Sequence, residues 1–208
     1  MDEPALKAWR TQLRAELIAR RLAADPQQRN DWNAAIDAHL ERLLTDVAGK
    51  IIAFCWPYQA EYDARSLILR FLVQGARAAL PVVVASRQPL IFRAWTPETA
   101  MKPAVYDIPV PVDSPEVTPD VALIALAGFD DAGYRLGYGG GFFDRTLAVI
   151  SPPPLTIGVG FELARVPTIH PQPHDIPLDY IVTERGIQHR ESDRLVVTMP
   201  GSQNAIRH

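Results

Sequence analysis

The stretch "FDDAGYRLGYGGGFFDRTL", residues 129–147, gathers five of the protein's 12 glycines ahead of an apolar, helix-like run. Gly137, Gly139, Gly140 and Gly141 carry no side chain to hold a ligand off the backbone. Glycine also tolerates positive φ, so successive amide N–H groups can converge on a phosphate. A helix starting near Phe142 would turn its positive N-terminal end the same way. The segment lacks the Lys-Ser/Thr ending of a Walker A loop and is not the dinucleotide G-x-G-x-x-G in its usual setting. Arg135 and Arg145 bracket it, and Asp144 stands at the helix start. Arginine's planar fork suits phosphate, and an aspartate beside bound phosphates suits Mg²⁺. Taken alone, the loop also reads as a tight connection, and Asp144 as a carboxylate favoured by the helix dipole.

The segments around the loop set the fold class. "VALIAL" (121–126) reads as a buried strand feeding straight into it. Upstream, "IIAFCW" (51–56) is an unbroken apolar run followed by turn residues, the pattern of a strand buried on both faces. A helix is expected from Asp63 through Leu67, Ile68, Phe71 and Leu72, with Gly75 near its end. "ALPVVVAS" and "LIFRAW" read as two further strands joined at "RQP". Five prolines between residues 103 and 119 make that stretch an extended connection. "LTIGVGF" and "DYIVTE" are later strands. The first 50 residues read as two helices. In the first, Leu6, Trp9, Leu13 and Leu17 share one face and Arg10 and Arg14 another. In the second, Asp25, Pro26 and Gln28 form a capping signal ahead of an apolar stripe running from Trp32 to Val47 and ended by Gly49. Strands alternating with helices predict one α/β domain over residues 1–200, an open, mostly parallel sheet with helices on both faces, and a loose tail at 201–208. In such sheets ligands bind at the carboxyl ends of the strands.

Composition narrows the function classes. At 208 residues and 48% hydrophobic, the chain can bury one sizeable core. A formal net charge of −3 with mixed signs gives no basic field for nucleic acid. No apolar run spans a membrane, and the charged N-terminus lacks the apolar core of a signal peptide. A single cysteine, Cys55, excludes an internal disulfide and multi-Cys zinc. A cytoplasmic protein acting on small molecules is expected, as a monomer or weak homodimer. Glu61, in "WPYQAEYDAR", follows a buried strand, though a lone glutamate there is more often solvated. Similarly, Arg10 and Arg14 alone would read as a solvated face. His170, His174, Asp175 and Asp179 suggest a transition-metal site, but Pro171, Pro173 and Pro177 break the helix that would present the histidines together. Cys55 reads as core.

In order, "LRAELIARR", "PYQAEYDAR", "GFDDAGYRLGYGGGFFDRTL" and "IGVGFELARVPTIHPQPHDIPLDYIVTE" resemble the 5-formyltetrahydrofolate cyclo-ligase family over residues 10 to about 185. The resemblance implies ATP- and Mg²⁺-dependent closure of 5-formyltetrahydrofolate to 5,10-methenyltetrahydrofolate, on a Rossmann-like fold related to sugar-phosphate isomerases. By position it implies that Arg10, Arg14 and the segment Arg135, Leu136, Gly137, Tyr138, Gly139, Gly140, Gly141, Phe142 and Phe143 bind ATP. Arg14, Arg135 and Arg145 then act on the transferred phosphate. Trp56, Glu61 and Tyr138 to Phe142 border the folate, and Asp144 and Asp175 hold magnesium. Three positions depart from the family pattern: Phe143 replaces a tyrosine, Arg10 a frequent lysine, and Ala125 a frequent proline. These keep two other readings open, a divergent member using ATP on another substrate and a nucleotide-binding module without turnover.

Overall fold

The two N-terminal helices start where their caps require. A computed structural model describes residues 2–198; the tail expected at 201–208 lies outside the described residues. Asp2 caps α1 (Glu3–Ala23) by accepting the Ala5 N–H. Asp25 caps α2 (Pro26–Leu43), accepting from the N–H groups of Gln27 and Gln28, with Pro26 in the first turn. The stripe outruns its helix. Leu44 and Val47 are buried but lie beyond the end of α2, in the turn leading to Gly49.

Thirteen strands follow from the apolar runs and from shorter segments that carry no readable period. They are β1 (Ile51–Phe54), β2 (Arg77–Val83), β3 (Leu90–Trp95), β4 (Met101–Pro103), β5 (Pro109–Pro111), β6 (Val121–Ala125), β7 (Gly128–Asp130), β8 (Arg135–Leu136), β9 (Leu155–Val159), β10 (Arg165–Val166), β11 (Tyr180–Thr183), β12 (Gly186–Glu191) and β13 (Arg194–Val197). Eight of them form one sheet in the order β13-β12-β11-β9-β6-β1-β2-β3. The pairs from β11 through β9, β6 and β1 to β2 are parallel, and β3, β12 and β13 close the two edges antiparallel. This is the open, mostly parallel α/β sheet the sequence predicts. From β1 the chain passes through α3 (Arg65–Val73) to β2 and β3 on one side, then returns to β6 on the other side of β1. The winding therefore reverses between β1 and β6, and the loops there diverge to leave a crevice beyond their carboxyl ends.

Alternating side chains separate two cores. Ile52, Phe54, Leu123, Ile157 and Val182 pack with α2 and α3 on one face. On the other, Ala53 and Ala79 meet Phe92 and Phe143, while Ala122, Ile124 and Ile181 meet Phe129 and Leu178. This second face is covered by the six-residue α4 (Phe142–Leu147) and a three-stranded sheet, β10-β7-β8, against whose Leu136 and Val166 the α1 residue Leu17 packs.

Two expectations need correction. β6 does not enter the glycine loop directly, because the β7–β8 hairpin intervenes and carries the loop on its outgoing strand. The proline-rich stretch is not simply extended: β4 and β5 pair across a single turn at Val105–Asp107.

Candidate active site

The crevice at the β1/β6 reversal holds a cavity. Cys55 and Trp56 line it from the end of β1, and Ala125 from the end of β6. Tyr106, Ile108 and Val110 cover it from the β4–β5 arm, and Gly137, Tyr138 and Gly140 to Phe143 form its far wall. Most of this lining is apolar, with charge concentrated at two places.

One charged end lies where the glycine loop meets α4. Gly139 and Gly141 take positive φ, 88° and 60°, a conformation other residues rarely adopt. A Cβ on Gly139 would also meet Arg14 Nη2 at 3.4 Å. Arg14 Nε donates to the Gly137 carbonyl at 2.6 Å, so α1 supports the loop while its terminal amines have no protein partner among the described residues. Burial, and then the charge of Arg10, lower its pKa; it remains a cation at any working pH. Arg10 instead grips the segment before β11, donating to Asp175 Oδ2 at 2.6 Å and to the carbonyls of Ile169 and His170. Burial alone would raise the Asp175 carboxyl. The Arg10 hydrogen bond, the Gln172 N–H and the neighbouring charges outweigh it and hold Asp175 below the usual range.

Arg135 leaves β8 into the same corner. It is buried, ion-paired to Asp144 Oδ1 at 2.9 Å, and donates to the Ile176 carbonyl. Burial lowers its pKa despite the opposing pull of Asp144 and Asp175, which both lie within reach of its charge. Asp144 Oδ1 also accepts the N–H of Ile176, the residue after Asp175, so both aspartates are gathered around Arg135. Asp144 Oδ2 has no protein partner among the described residues. No group of three or more His, Cys, Asp or Glu suited to a metal occurs among the described residues. Two carboxylates nonetheless fit Mg²⁺, which takes one or two from protein and completes its shell with phosphate oxygens and water. Arg145 folds back to the Gly140 carbonyl and over the Phe142 ring at 5.5 Å, outside the cavity lining, and its Nε is buried without a partner. α4 is too short to contribute the helix N-terminus expected of it. Leu136 lies outside the cavity lining, its side chain being buried against Leu17.

At the other end, Glu61 is 7% exposed, and its two oxygens accept from the Tyr138 hydroxyl at 2.6 Å and the Tyr58 N–H at 3.0 Å. Burial raises its pKa, partly countered by Tyr138, Arg21 and the Tyr58 N–H. The turn presenting it contains Gln59 and Ala60, both with positive φ, at a cost of about 1–2 kcal/mol each. Tyr58 packs on Tyr138 and Tyr106 with ring centroids 5.6 and 5.9 Å apart. Trp56 lies against Trp95, with the Arg65 guanidinium over its ring at 5.0 Å. Phe143 packs into both cores of the second face and stands 5.9 Å from Arg135. Burial pushes the Cys55 thiol up to about 12, so it is no nucleophile near neutral pH.

The histidine-rich segment forms no metal site among the described residues. His170 stacks edge-on against Trp9, His174 is exposed, and Asp179 binds the Thr156 hydroxyl and N–H. Arg21, Tyr58 and Tyr106 are site residues that sequence reasoning missed. Arg21 had one signal, since it falls about two helical turns after Arg14 on the same face of α1.

The family model described as the 5-formyltetrahydrofolate cyclo-ligase family matches residues 6–184, nearly the whole chain. The chain belongs to this family. The 5-formyltetrahydrofolate cyclo-ligase of Haemophilus influenzae is 28% identical over 176 residues, covering 81% of this chain and 94% of that protein. That of Mycolicibacterium smegmatis is 29% identical over 188 residues, covering 86% and 95%. The 5,10-methenyltetrahydrofolate synthetase of Aquifex aeolicus shares the fold with a TM-score of 0.75 at 23% identity, covering 93% of this chain and 98% of its own. The synthetase of Mycoplasma pneumoniae does so at 0.70, also 23% identical, covering 84% and 98%. The fold of these synthetases thus extends over most of this chain.

Proposed function

We propose that this cyclo-ligase family member converts 5-formyltetrahydrofolate and ATP to 5,10-methenyltetrahydrofolate, ADP and phosphate, with Mg²⁺. One observation carries the reading: an apolar cavity lined by Arg135 and by a glycine loop that Arg14 braces joins that loop to a buried carboxylate flanked by aromatic rings. Phosphates belong at the first end, where Arg14 and Arg135 supply cations and the loop supplies backbone N–H groups. A flat, hydrogen-bonding pterin suits the second, where Glu61 accepts from ring N–H groups and Trp56, Tyr58 and Tyr106 flank it.

The reaction needs little covalent help from protein. The formyl oxygen attacks the γ-phosphorus and ADP departs, which turns a poor leaving group into phosphate. N10 then attacks the activated formyl carbon, loses its proton, and phosphate leaves with the original formyl oxygen. Arg14 and Arg135 hold the transferring phosphoryl group and spread its charge, while Arg10 and Arg145 fix the segments around it. Asp144 and Asp175 would hold Mg²⁺, which when bound neutralises phosphate oxygens and the departing ADP. The apolar lining of the cavity would keep water from the phosphorylated intermediate.

The test is direct. Purified protein with MgATP and 5-formyltetrahydrofolate is expected to accumulate the absorbance of the methenyl product. ATP binding with no product would overturn the reading.

A further inference from the structure

Arg21 lies in the last turn of α1 and is 3% exposed, so its guanidinium must find its hydrogen bonds inside the protein. It finds three, each on a different segment of the cavity wall. Nε donates to the Gln59 carbonyl at 2.9 Å, Nη1 to the Leu126 carbonyl at 3.0 Å, and Nη2 to the Tyr138 hydroxyl at 2.8 Å. Those acceptors belong to the left-handed turn that presents Glu61, the end of β6 at the reversal point, and the glycine loop. Arg21 forms no direct ion pair among the described residues. The carboxylate it serves is one hydroxyl further on, since Tyr138 donates to Glu61 Oε1 at 2.6 Å.

The polarity of this chain is fixed. Guanidinium only donates, so the Tyr138 oxygen receives, and the phenolic hydrogen is committed to Glu61. The Tyr58 N–H occupies the other carboxylate oxygen, which leaves Glu61 rotationally locked with its remaining lone pairs for a ligand. We infer that Arg21 is a positioning residue for the folate-facing carboxylate, holding Glu61 in its acceptor orientation through Tyr138 and through the turn at Gln59. This rests on the proposed cyclo-ligase function.

Burial favours the neutral carboxyl, and the positive charge of Arg21 and the two hydrogen bonds oppose it. The groups facing Glu61 are Arg21 from α1, Tyr138 from the glycine loop, Cys55 at the end of β1 and Tyr58 in its own turn. The Cys55 thiol is neutral, so Arg21 is the one cation among them.

Two variants test this. Arg21→Met removes the charge and all three bonds, while Tyr138→Phe cuts the link and spares the bonds to Gln59 and Leu126. In both, the KM for 5-formyltetrahydrofolate should rise about tenfold, the loss of one charge-assisted hydrogen bond, with the KM for ATP changing less than about twofold. The acid limb of kcat/KM should move to higher pH, so raising the pH recovers part of the loss. Arg21→Lys should recover part of the defect of Arg21→Met, because it restores the charge without the three-way geometry. The coupling is also read without substrate. In side-chain ¹³C-labelled protein, with the Glu61 resonance assigned by Glu61→Gln, its titration midpoint should move up in both variants. A midpoint unchanged in both overturns the inference, as does an unchanged folate KM in both. A wild type that makes no methenyl product overturns the proposed function instead, and the NMR titration then still decides whether Arg21 governs Glu61.

Discussion

The two charged ends of the cavity are built on opposite plans. Where the glycine loop meets α4, every carboxylate sits directly on an arginine: Asp144 on Arg135 and Asp175 on Arg10, at 2.9 and 2.6 Å. At the β1/β6 reversal a tyrosine hydroxyl separates Arg21 from Glu61, and both charges are almost fully buried. Each direct pair keeps one partly exposed member, Arg10 or Asp144, and can exchange there for a phosphate or a cation, because an incoming charge replaces the one it displaces. A relay through a buried hydroxyl has no such replacement. It orients instead of yielding. The first plan suits a substrate that arrives charged and leaves altered, and the second suits a ring system that must be held in one pose.

Breaking the first end should have the largest effect. Asp144→Asn is expected to lower kcat by about 10²–10³, the usual result of removing one group that stabilises developing charge, and to lower the melting temperature as well, because the buried Arg135 loses its counter-charge. Assay of the methenyl product alongside a circular-dichroism melt checks both parts. Chelating Mg²⁺ should abolish turnover reversibly and leave the melt unaltered. Arg14→Ala should cost about as much turnover, and it should raise the KM for ATP more than that for the folate. At the second end, Glu61→Gln should act mainly on the folate KM.

Acid stability distinguishes the ends further, because their carboxyl pKa values are shifted in opposite directions. Asp175 titrates below its ordinary value in the folded protein. Its contribution is therefore present above the unfolded value and is lost as pH falls through the folded one, and Asp175→Asn should flatten acid unfolding in that window. Glu61 titrates above its ordinary value. Between the two values the folded state holds the extra proton, so stability relative to Glu61→Gln should fall as pH rises. Urea unfolding from pH 3 to 8 reads both slopes. The smallest effect is expected at the departure from the family pattern: Phe143→Tyr keeps the packing that seats the ring, and kcat/KM should change less than about threefold.

Parts of this arrangement are legible in the sequence and parts are not. β1, β6, β9 and β11 announce themselves because strands buried on both faces are continuous apolar runs. β7 and β8 do not, because strands of three and two residues have no period to detect. The glycine loop is visible through composition, since a backbone at positive φ leaves few alternatives to Gly139 and Gly141. Pairings are another matter. Arg10 and Asp175 meet across 165 positions, and Arg21 meets Tyr138 across 117, separations at which local patterning carries no information. A buried arginine and a solvated one look identical in a string of letters.

The sequence by itself determined the class of fold, the position of the glycine-rich loop, and the family, because these depend on local periodicity, backbone freedom and contiguous motifs. Only the tertiary structure decided which charges neutralise one another, which lie one hydroxyl apart, and that the cavity opens where the winding of the sheet reverses. Those outcomes follow from burial, which makes an unpaired charge costly and so dictates partners that chain order cannot reveal.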